Sequence, residues 1–270
     1  MAYPFRQPIV FGYKSIESIE VILNLRDSLF TIFEKNYVMR KLNILGGALI
    51  IVMTCFIVWL GFIDSRLHTE TVDGHECVDL GLPSGTLWAT CNIGADSPYD
   101  YGDYYAWGET NPKNEFLWTN YKYCDGKRYT INKYNNDTTF GPVIDTLTRL
   151  SSEDDVVTRK WGSNWCMPTN SQIRELVDCC QIGPTTYMGK RYCKIVGPNH
   201  QKLVIPYSGW ILRQKHKYAD STLVIWSRDL RIEKSEMAYA LILTWGKNPG
   251  WTRFTRNFGF SVRGVVKKEY

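Results

Sequence analysis

One uncharged apolar segment stands apart from the rest of the chain. Residues 44–63 run for 20 positions without a charged side chain. As an α-helix rising ~1.5 Å per residue, this segment would span about 30 Å, the hydrocarbon thickness of a bilayer. A buried core helix is usually shorter or keeps a polar face. The pattern therefore predicts a single transmembrane helix.

The flanking charges predict the orientation of this segment. Lys35, Arg40 and Lys41 precede it, whereas Arg66 is the nearest basic side chain behind it. Because positive flanks stay on the cytoplasmic side, we expect a cytoplasmic N-terminus and an exported chain after Asp64. No Ala-x-Ala-like cleavage site follows the apolar run. This favours an uncleaved signal anchor over a signal peptide.

The segment divides the chain into unequal parts. Residues 1–43 are then a short cytoplasmic tail, to which we assign no function. In an alternative interpretation, translation begins at Met39 and the residues before it are not part of the protein. Residues 64–76 are polar and lack periodicity, which is typical of a stalk. We expect a folded domain over residues 77–270.

The first part of this domain is rich in turn-forming residues. Residues 78–110 read VDLGLPSGTLWATCNIGADSPYDYGDYYAWGET, with glycine and proline too frequent for a helix. They predict short strands joined by turns. Residues 111–150 are rich in Asn, Lys, Thr and Tyr. They predict a long irregular segment held down by aromatic side chains.

Two helices are expected next. Ser152 is followed by three acidic residues, which favours a helix N-terminus there, and the helix should end near Trp161 and Gly162. Thr169 and Gln172 have the spacing of a capping box, which predicts a second helix after Thr169. The apolar positions at helical spacing in this second helix are Ile173, Leu176, Val177 and Cys180.

The second half of the domain has the pattern of β-strands. Residues 192–196 and 202–207 flank a Gly-Pro-Asn turn signal and predict a hairpin. Residues 221–227, 238–244 and 258–266 are further strand-like runs. The order of elements therefore predicts an α+β domain with two helices and a strand-rich second half.

Several motifs of the exported part occur in an order known from one family. Besides residues 78–110, they are Trp161-Gly-Ser-Asn-Trp165-Cys-Met-Pro-Thr169, Trp226-Ser227 and Gly259-Phe-Ser-Val-Arg263. Together they resemble the Fibrobacter succinogenes major paralogous domain, which is common in surface proteins of Bacteroidetes. The resemblance covers about residues 77–266 and implies a variant of the C-type lectin-like fold, shared with relatives of formylglycine-generating enzymes. Cys166 and Gly264 depart from it, since the family usually has arginine and proline there.

Charge and candidate ligands exclude some classes of function. A net charge of +5 is mild for 270 residues, and no basic stripe accompanies a nucleic-acid motif. We therefore expect no nucleic-acid partner. Seven cysteines lie outside residues 44–63 without zinc spacing, so at least one of them is free or pairs between chains. The four histidines lie in the predicted stalk or in polar loops, which predicts neither a metal site nor a histidine-based triad.

Motifs of related activities are also missing from the sequence. The Glu-Pro-Asn and Trp-Asn-Asp motifs of calcium-dependent sugar-binding lectins do not occur. The reactive cysteine pair that kinship with formylglycine-generating enzymes would imply has no clear counterpart. We therefore expect no cofactor and no catalysis.

Aromatic and arginine side chains of the second half point to recognition instead, because such residues dominate binding hot spots. We expect Trp226 and Trp245 in the core. Trp210, Trp251 and Arg253 lie among loop residues such as glycine and proline, which favours exposure. With Arg228 included, the candidate ligand-binding residues are Trp210, Arg228, Trp251 and Arg253.

The resemblance and the apolar segment together predict a membrane-anchored adhesion module. Its exported domain would bind a glycan or a surface protein at the cell envelope, in the periplasm or on the cell surface. Two alternatives remain open at this stage. One is an enzyme of the formylglycine-generating branch, and the other is a structural subunit of the envelope or of an appendage.

Overall fold

A β-rich α+β domain accounts for residues 69–266 in the computed structural model, which otherwise describes only Leu25 and Met53. The predicted tail and transmembrane helix lie outside the described residues, apart from those two positions. Within the described part of the chain, no helix is long and apolar enough to cross a membrane. In chain order the strands are β1 Thr69–Val72, β2 His75–Asp79, β3 Leu87–Asn92, β4 Trp165–Cys166, β5 Gln181–Tyr187, β6 Lys190–Val196, β7 Lys202–Pro206, β8 Trp210–Leu212, β9 Lys215–Lys217, β10 Thr222–Leu230, β11 Met237–Thr244, β12 Gly250–Thr255 and β13 Arg263–Val266.

The largest sheet joins the beginning and the end of the described domain. Its order is β1-β2-β3-β13-β4, and every neighbouring pair is antiparallel. Val265 on β13 lies opposite Trp88 on one side and Cys166 on the other. Three smaller sheets follow, with orders β5-β6-β7, β8-β9 and β10-β11-β12.

The folded domain begins earlier than the sequence predicts. β1 and β2 form an antiparallel hairpin in which Val72 lies opposite His75. The His75 ring stacks on Trp161 at a centroid distance of 4.2 Å, and the Trp165 indole N–H donates to the Val72 carbonyl at 3.1 Å. Residues 69–76, which we expected in a stalk, therefore belong to the sheet. Their polar side chains gave no periodic signal, because three of the four β1 residues are exposed.

The first helix, α1 (Val156–Trp161), ends where expected but begins later than predicted. Its N-cap is Asp155, whose carboxylate accepts the backbone N–H groups of Val157 and Thr158. The predicted start at Ser152 is wrong. Asp154 does not serve the helix N-terminus, because its carboxylate bonds to Lys133 at 2.6 Å and to Tyr134 at 2.7 Å.

The second helix, α2 (Asn170–Cys179), confirms the predicted capping box. The Gln172 backbone N–H donates to the Thr169 hydroxyl at 3.2 Å, and the Gln172 amide oxygen accepts the Thr169 backbone N–H at 2.8 Å. Ile173 and Leu176 are buried, whereas Val177 and Cys180 are only partly covered. α2 packs against the β10-β11-β12 sheet.

The predicted hairpin of the second half is confirmed as β6 and β7, with Val196 opposite Lys202. β10 and β11 match the next two strand-like runs. The last predicted strand is shorter than expected, since regular pairing begins only at Arg263. Before it, Phe260 and Ser261 make isolated bridges to Tyr105 and Ile225.

Residues 111–150 form the expected irregular segment, with only two short 3₁₀ turns, Trp118–Asn120 and Thr138–Phe140. Its aromatic side chains pack around the fully buried guanidinium of Arg256. This guanidinium lies 5.3 Å from the ring centroids of both Trp107 and Tyr121, and it donates to the carbonyls of Lys133 and Tyr134. We call this set the interior aromatic cluster; its members are Trp107, Tyr121, Tyr123, Tyr134 and Arg256.

Candidate functional site

The four predicted binding residues lie in different settings. Trp251 and Arg253 are exposed, as expected, but they belong to β12 rather than to a loop. β12 forms because Gly250 continues the antiparallel pairing with β11, opposite Ile242. Since Trp251 and Arg253 are two residues apart in a strand, their side chains share one face of the sheet.

Arg228 points into the domain. Its side chain is only 14% exposed, and Nη2 donates to the Leu150 carbonyl at 2.8 Å. Its Nε lies 3.7 Å from the carboxylate of Asp155, the buried N-cap of α1. These contacts connect Arg228 to the body of the domain, which leaves little of it available to a ligand.

The expected core tryptophans differ from each other in burial. Trp226 is fully buried, and its indole N–H donates to the Tyr105 carbonyl at 2.9 Å. Trp245 is partly exposed; it packs edge-on against Tyr207, and the guanidinium of Arg191 covers its ring at 4.8 Å.

Trp210, the fourth predicted residue, belongs to a larger group of rings that, apart from Tyr192, are exposed or partly exposed. It lies on β8 and packs against Tyr218 at a centroid distance of 4.4 Å. The group draws on the loop at 99–104, the β5–β6 hairpin and the β8–β9 hairpin with the residues after it. We call it the surface aromatic cluster; its members are Tyr99, Tyr101, Tyr104, Tyr187, Tyr192, Trp210, His216 and Tyr218.

The β5–β6 hairpin supplies one half of the cluster. Tyr187 stacks on Tyr99 with centroids 4.6 Å apart, and Tyr192 meets Tyr99 edge-on at 5.0 Å. Tyr192 is buried, but Tyr187 is 49% exposed. The turn after Tyr187 consists of Met188 and Gly189, which both have positive φ, and Met188 is 86% exposed.

His216 organises the other half of the cluster from β9 rather than from a loop. Its ring lies edge-on to Tyr101 at 5.9 Å and to Tyr104 at 5.2 Å. Nε2 of His216 lies 2.7 Å from the Ser208 carbonyl, so this nitrogen carries the proton, because a carbonyl can only accept. The Tyr104 hydroxyl donates to the same carbonyl, and burial raises its pKa above the usual value.

The carboxylate of Asp220 holds Tyr101 in place. The Tyr101 hydroxyl donates to the Asp220 carboxylate at 2.6 Å. Burial, followed by this hydrogen bond, raises the pKa of Tyr101 above its ordinary value. Tyr218, two residues before Asp220, is 58% exposed. The cluster therefore combines uncovered ring surface with phenols and an imidazole, and it lies beside the carboxylate of Asp220.

Gly209 allows β8 to lie close to the segment that follows β9. Gly209 has φ +62°, and a Cβ atom there would lie 2.2 Å from the Lys217 carbonyl oxygen. Any larger residue would push β8 away from the segment that carries His216 and Tyr218. The position of Trp210 beside Tyr218 depends on this close approach.

Three of the buried or partly buried cysteines hold their protons more tightly than a free thiol does. Burial raises the pKa of Cys77 to about 11 and the pKa values of Cys180 and Cys193 to about 12, so these thiols are protonated at neutral pH. Among the residues that the structure describes, no three His, Cys, Asp or Glu side chains form a group that could hold a metal ion.

A small cleft lies apart from these rings, between β5 and the β11–β12 connection. Its volume is about 170 Å³, and its lining includes Pro184, Tyr207, Thr244 and Lys247. Ligand pockets usually measure roughly 300–1,000 Å³. The cleft is therefore a minor feature beside the surface aromatic cluster.

Comparison with known proteins found no match among family models, curated proteins or solved structures. The family resemblance of the sequence motifs thus stays a prediction. The sequence analysis did not single out most members of the surface aromatic cluster. One usable signal was the tyrosine-rich string Tyr99-Asp-Tyr-Gly-Asp-Tyr-Tyr105. The long-range contacts with His216 and Tyr187 have no counterpart in local sequence.

Proposed function

We propose that this chain is a non-catalytic recognition module that binds a glycan through the surface aromatic cluster. The observation that carries the proposal is the exposure of rings whose neighbours hold them in place. Tyr187 and Tyr218 are 49% and 58% exposed, yet each is packed against another ring. A rigid, exposed aromatic side chain loses little entropy on binding, which is why such residues dominate recognition surfaces.

The composition of the cluster favours a glycan over a purely apolar ligand. One face of a pyranose ring carries C–H groups that can lie on an aromatic ring, while its hydroxyls need hydrogen-bonding partners. Asp100 and Asp220 are exposed beside the rings, and His216 is exposed as well. The rings meet the first requirement, and these polar side chains meet the second.

The proposed setting is the cell envelope. Residues 44–63 would anchor the chain in a membrane, and the domain would be exported as a member of the Fibrobacter major paralogous family with a C-type lectin-like fold. The mixed, mainly antiparallel architecture with two helices supports this proposal only at the level of an α+β fold. Protease treatment of intact cells, followed by fractionation, tests anchoring and sidedness.

Binding is tested with the full chain in mild detergent on an array of neutral and acidic oligosaccharides, followed by titration calorimetry with the strongest binder. In the double variant Tyr187→Ala/Tyr218→Ala we expect affinity to fall at least tenfold. The matched control is Tyr129→Ala, because Tyr129 is 57% exposed but lies outside the cluster, stacked on Phe140. Circular dichroism of each variant checks that the domain remains folded.

The outcomes separate the candidate functions. Glycan capture that survives the double variant, or that is lost equally in the control, overturns the proposed site. If no oligosaccharide binds but a surface protein does, and that binding needs Tyr187 and Tyr218, the ligand class is wrong and the site is right. A folded chain with no ligand of either kind favours the structural subunit.

A further inference from the structure

The strand β12 is an open edge of the β10-β11-β12 sheet. In the described part of the chain it pairs only with β11. The opposite edge strand, β10, is covered on its outer side by bridges from Gly209 and Ser261. An edge strand with unpaired backbone groups is a template for pairing with another chain.

The other sheet edges of the described domain are shorter or carry features that disfavour such pairing: β1 has four residues and includes Glu70, β4 has two residues, and β8 has three. Pro184 interrupts β5, and Pro206 ends β7. β9 has three residues, and two of them are lysines. β12 has six residues, GWTRFT, with neither proline nor an acidic residue within it. Among these edges it is therefore the least protected against strand addition.

The exposed face of β12 has a specific chemistry. Trp251 is 43% exposed, and Arg253, two residues further, is exposed on the same face. The guanidinium of Arg174 on α2 already lies 4.7 Å from the Trp251 ring centroid. This contact shows that the indole attracts a guanidinium at this position while much of its surface stays open.

Symmetry limits how this edge can pair with itself. A two-fold axis perpendicular to a sheet keeps every side chain on its own face. Residues directly opposite each other in an antiparallel pair share a face, whereas neighbours along one strand point to opposite faces. The axis must therefore lie at a residue that faces its own symmetry copy, and not midway between two residues. An axis at Arg253 would place two guanidiniums opposite each other, which is unfavourable. An axis at Thr252 places Trp251 opposite Arg253 of the second copy, and Arg253 opposite Trp251 of the second copy.

We propose that β12 pairs antiparallel with β12 of a second copy of this chain about an axis at Thr252. Two cross-strand Trp–Arg pairs hold the interface, and the two three-stranded sheets become one continuous sheet. The occupant of the edge is thus the chain itself, because Trp251 and Arg253 are complementary to each other across this axis.

Sedimentation equilibrium of the full chain in mild detergent tests the pairing. The wild-type chain should dimerise. Trp251→Arg places an arginine opposite Arg253 of the second copy, so the dimer dissociation constant should rise at least tenfold. The double variant Trp251→Arg/Arg253→Trp exchanges the two partners and restores both pairs, so its dimer should recover. Thr185→Arg, which adds the same charge to the β5 edge, is the control and should leave dimerisation unchanged.

Each result bears directly on the proposal. A wild-type chain that stays monomeric overturns it, as does a dimer that Trp251→Arg leaves intact. Failure of the exchanged double variant to dimerise, when its thermal melt matches that of the wild type, excludes the two-fold axis at Thr252. A monomer that instead captures a foreign extended peptide along β12 would show that the edge serves another partner.

Discussion

Two clusters of similar composition occupy opposite environments in this domain. In the interior aromatic cluster, phenols are buried and bond to internal groups: the Tyr121 hydroxyl donates to the Trp107 carbonyl at 2.7 Å, and the Tyr134 hydroxyl to Asp154 at 2.7 Å. In the surface aromatic cluster, Tyr187 and Tyr218 are about half exposed. Aromatic content alone therefore does not show which rings are accessible to a ligand, whereas coverage of each ring by its neighbours does.

The clusters also differ in their nitrogen donors. Arg256 is fully buried in the interior aromatic cluster, and burial lowers its pKa. His216 is exposed in the surface aromatic cluster and bonds to one carbonyl and one phenol. Removing a buried hydrogen-bond donor leaves its acceptors without partners, whereas water replaces an exposed donor. Substitutions in the interior aromatic cluster should therefore lower the free energy of unfolding more than those in the surface aromatic cluster.

The largest loss in the free energy of unfolding is expected for Arg256→Met. The thioether fills part of the space but cannot donate to the carbonyls of Lys133 and Tyr134. Each buried acceptor without a donor costs about 1–3 kcal/mol, so the free energy of unfolding should fall by about 3 kcal/mol or more. Urea denaturation followed by tryptophan fluorescence measures this loss.

Arg159→Met provides the matched control for Arg256→Met. Arg159 lies exposed in the last turn of α1, so its replacement should change the free energy of unfolding by no more than about 0.5 kcal/mol. If both variants have the same stability, Arg256 does not organise the interior aromatic cluster.

Removing one tyrosine hydroxyl from each cluster gives the next comparison. Tyr134→Phe deletes a hydroxyl that donates to Asp154 and accepts the Ser151 backbone N–H, at 2.7 and 3.0 Å. Loss of this hydroxyl should lower the free energy of unfolding by about 2 kcal/mol. Tyr101→Phe deletes an exposed bond to Asp220, which should cost about 0.5 kcal/mol. Equal losses in thermal denaturation would contradict the distinction between the clusters.

Local signals in the sequence predicted the elements that depend on local structure. The capping box of Thr169 and Gln172 is confirmed because both of its hydrogen bonds form within four residues. The hairpin of β6 and β7 is confirmed for a similar reason, since its turn residues are adjacent. The start of α1 was wrong because a distant residue, Lys133, binds the carboxylate of Asp154.

The missed strands and the missed site have a common cause. β1 and β12 carry mostly exposed or partly exposed residues, so no alternating apolar pattern marks them. The surface aromatic cluster brings together Tyr101 and His216, which are 115 positions apart in the chain. Only tertiary packing brings such residues together, and no local pattern encodes it.

Acid should destabilise the interior aromatic cluster through Asp154. Burial raises the pKa of this carboxyl, but hydrogen bonds from Lys133, Tyr134 and Lys122 outweigh burial and hold the pKa well below its usual value. A depressed folded-state pKa means that the stabilisation is present above the unfolded pKa of about 3.9 and is lost as pH falls below it. Asp154→Asn removes this titration.

Urea unfolding at pH 7, 5, 4 and 3 tests the role of Asp154. The wild-type chain should lose more stability between pH 5 and 3 than Asp154→Asn does, by up to about 1.4 kcal/mol per pH unit, the limit for one proton. Identical pH profiles for the wild type and Asp154→Asn would show that the carboxylate is not coupled to folding.

The smallest effect concerns backbone strain at residues other than glycine, which occurs within the interior aromatic cluster and next to the surface aromatic cluster. Tyr134 has φ +56° and is held by its buried contacts, whereas Met188 has φ +49° and is 86% exposed. Met188→Gly relieves the strain and should raise the free energy of unfolding by about 0.5–1 kcal/mol. Met188→Ala removes the side chain but keeps the strain, so its stability should match that of the wild type. Under the proposed function, the exposed Met188 beside Tyr187 contacts the glycan, so both variants should bind it more weakly. If Met188→Gly is more stable and still binds with wild-type affinity, the turn lies outside the binding surface, and the site is limited to the rings around His216.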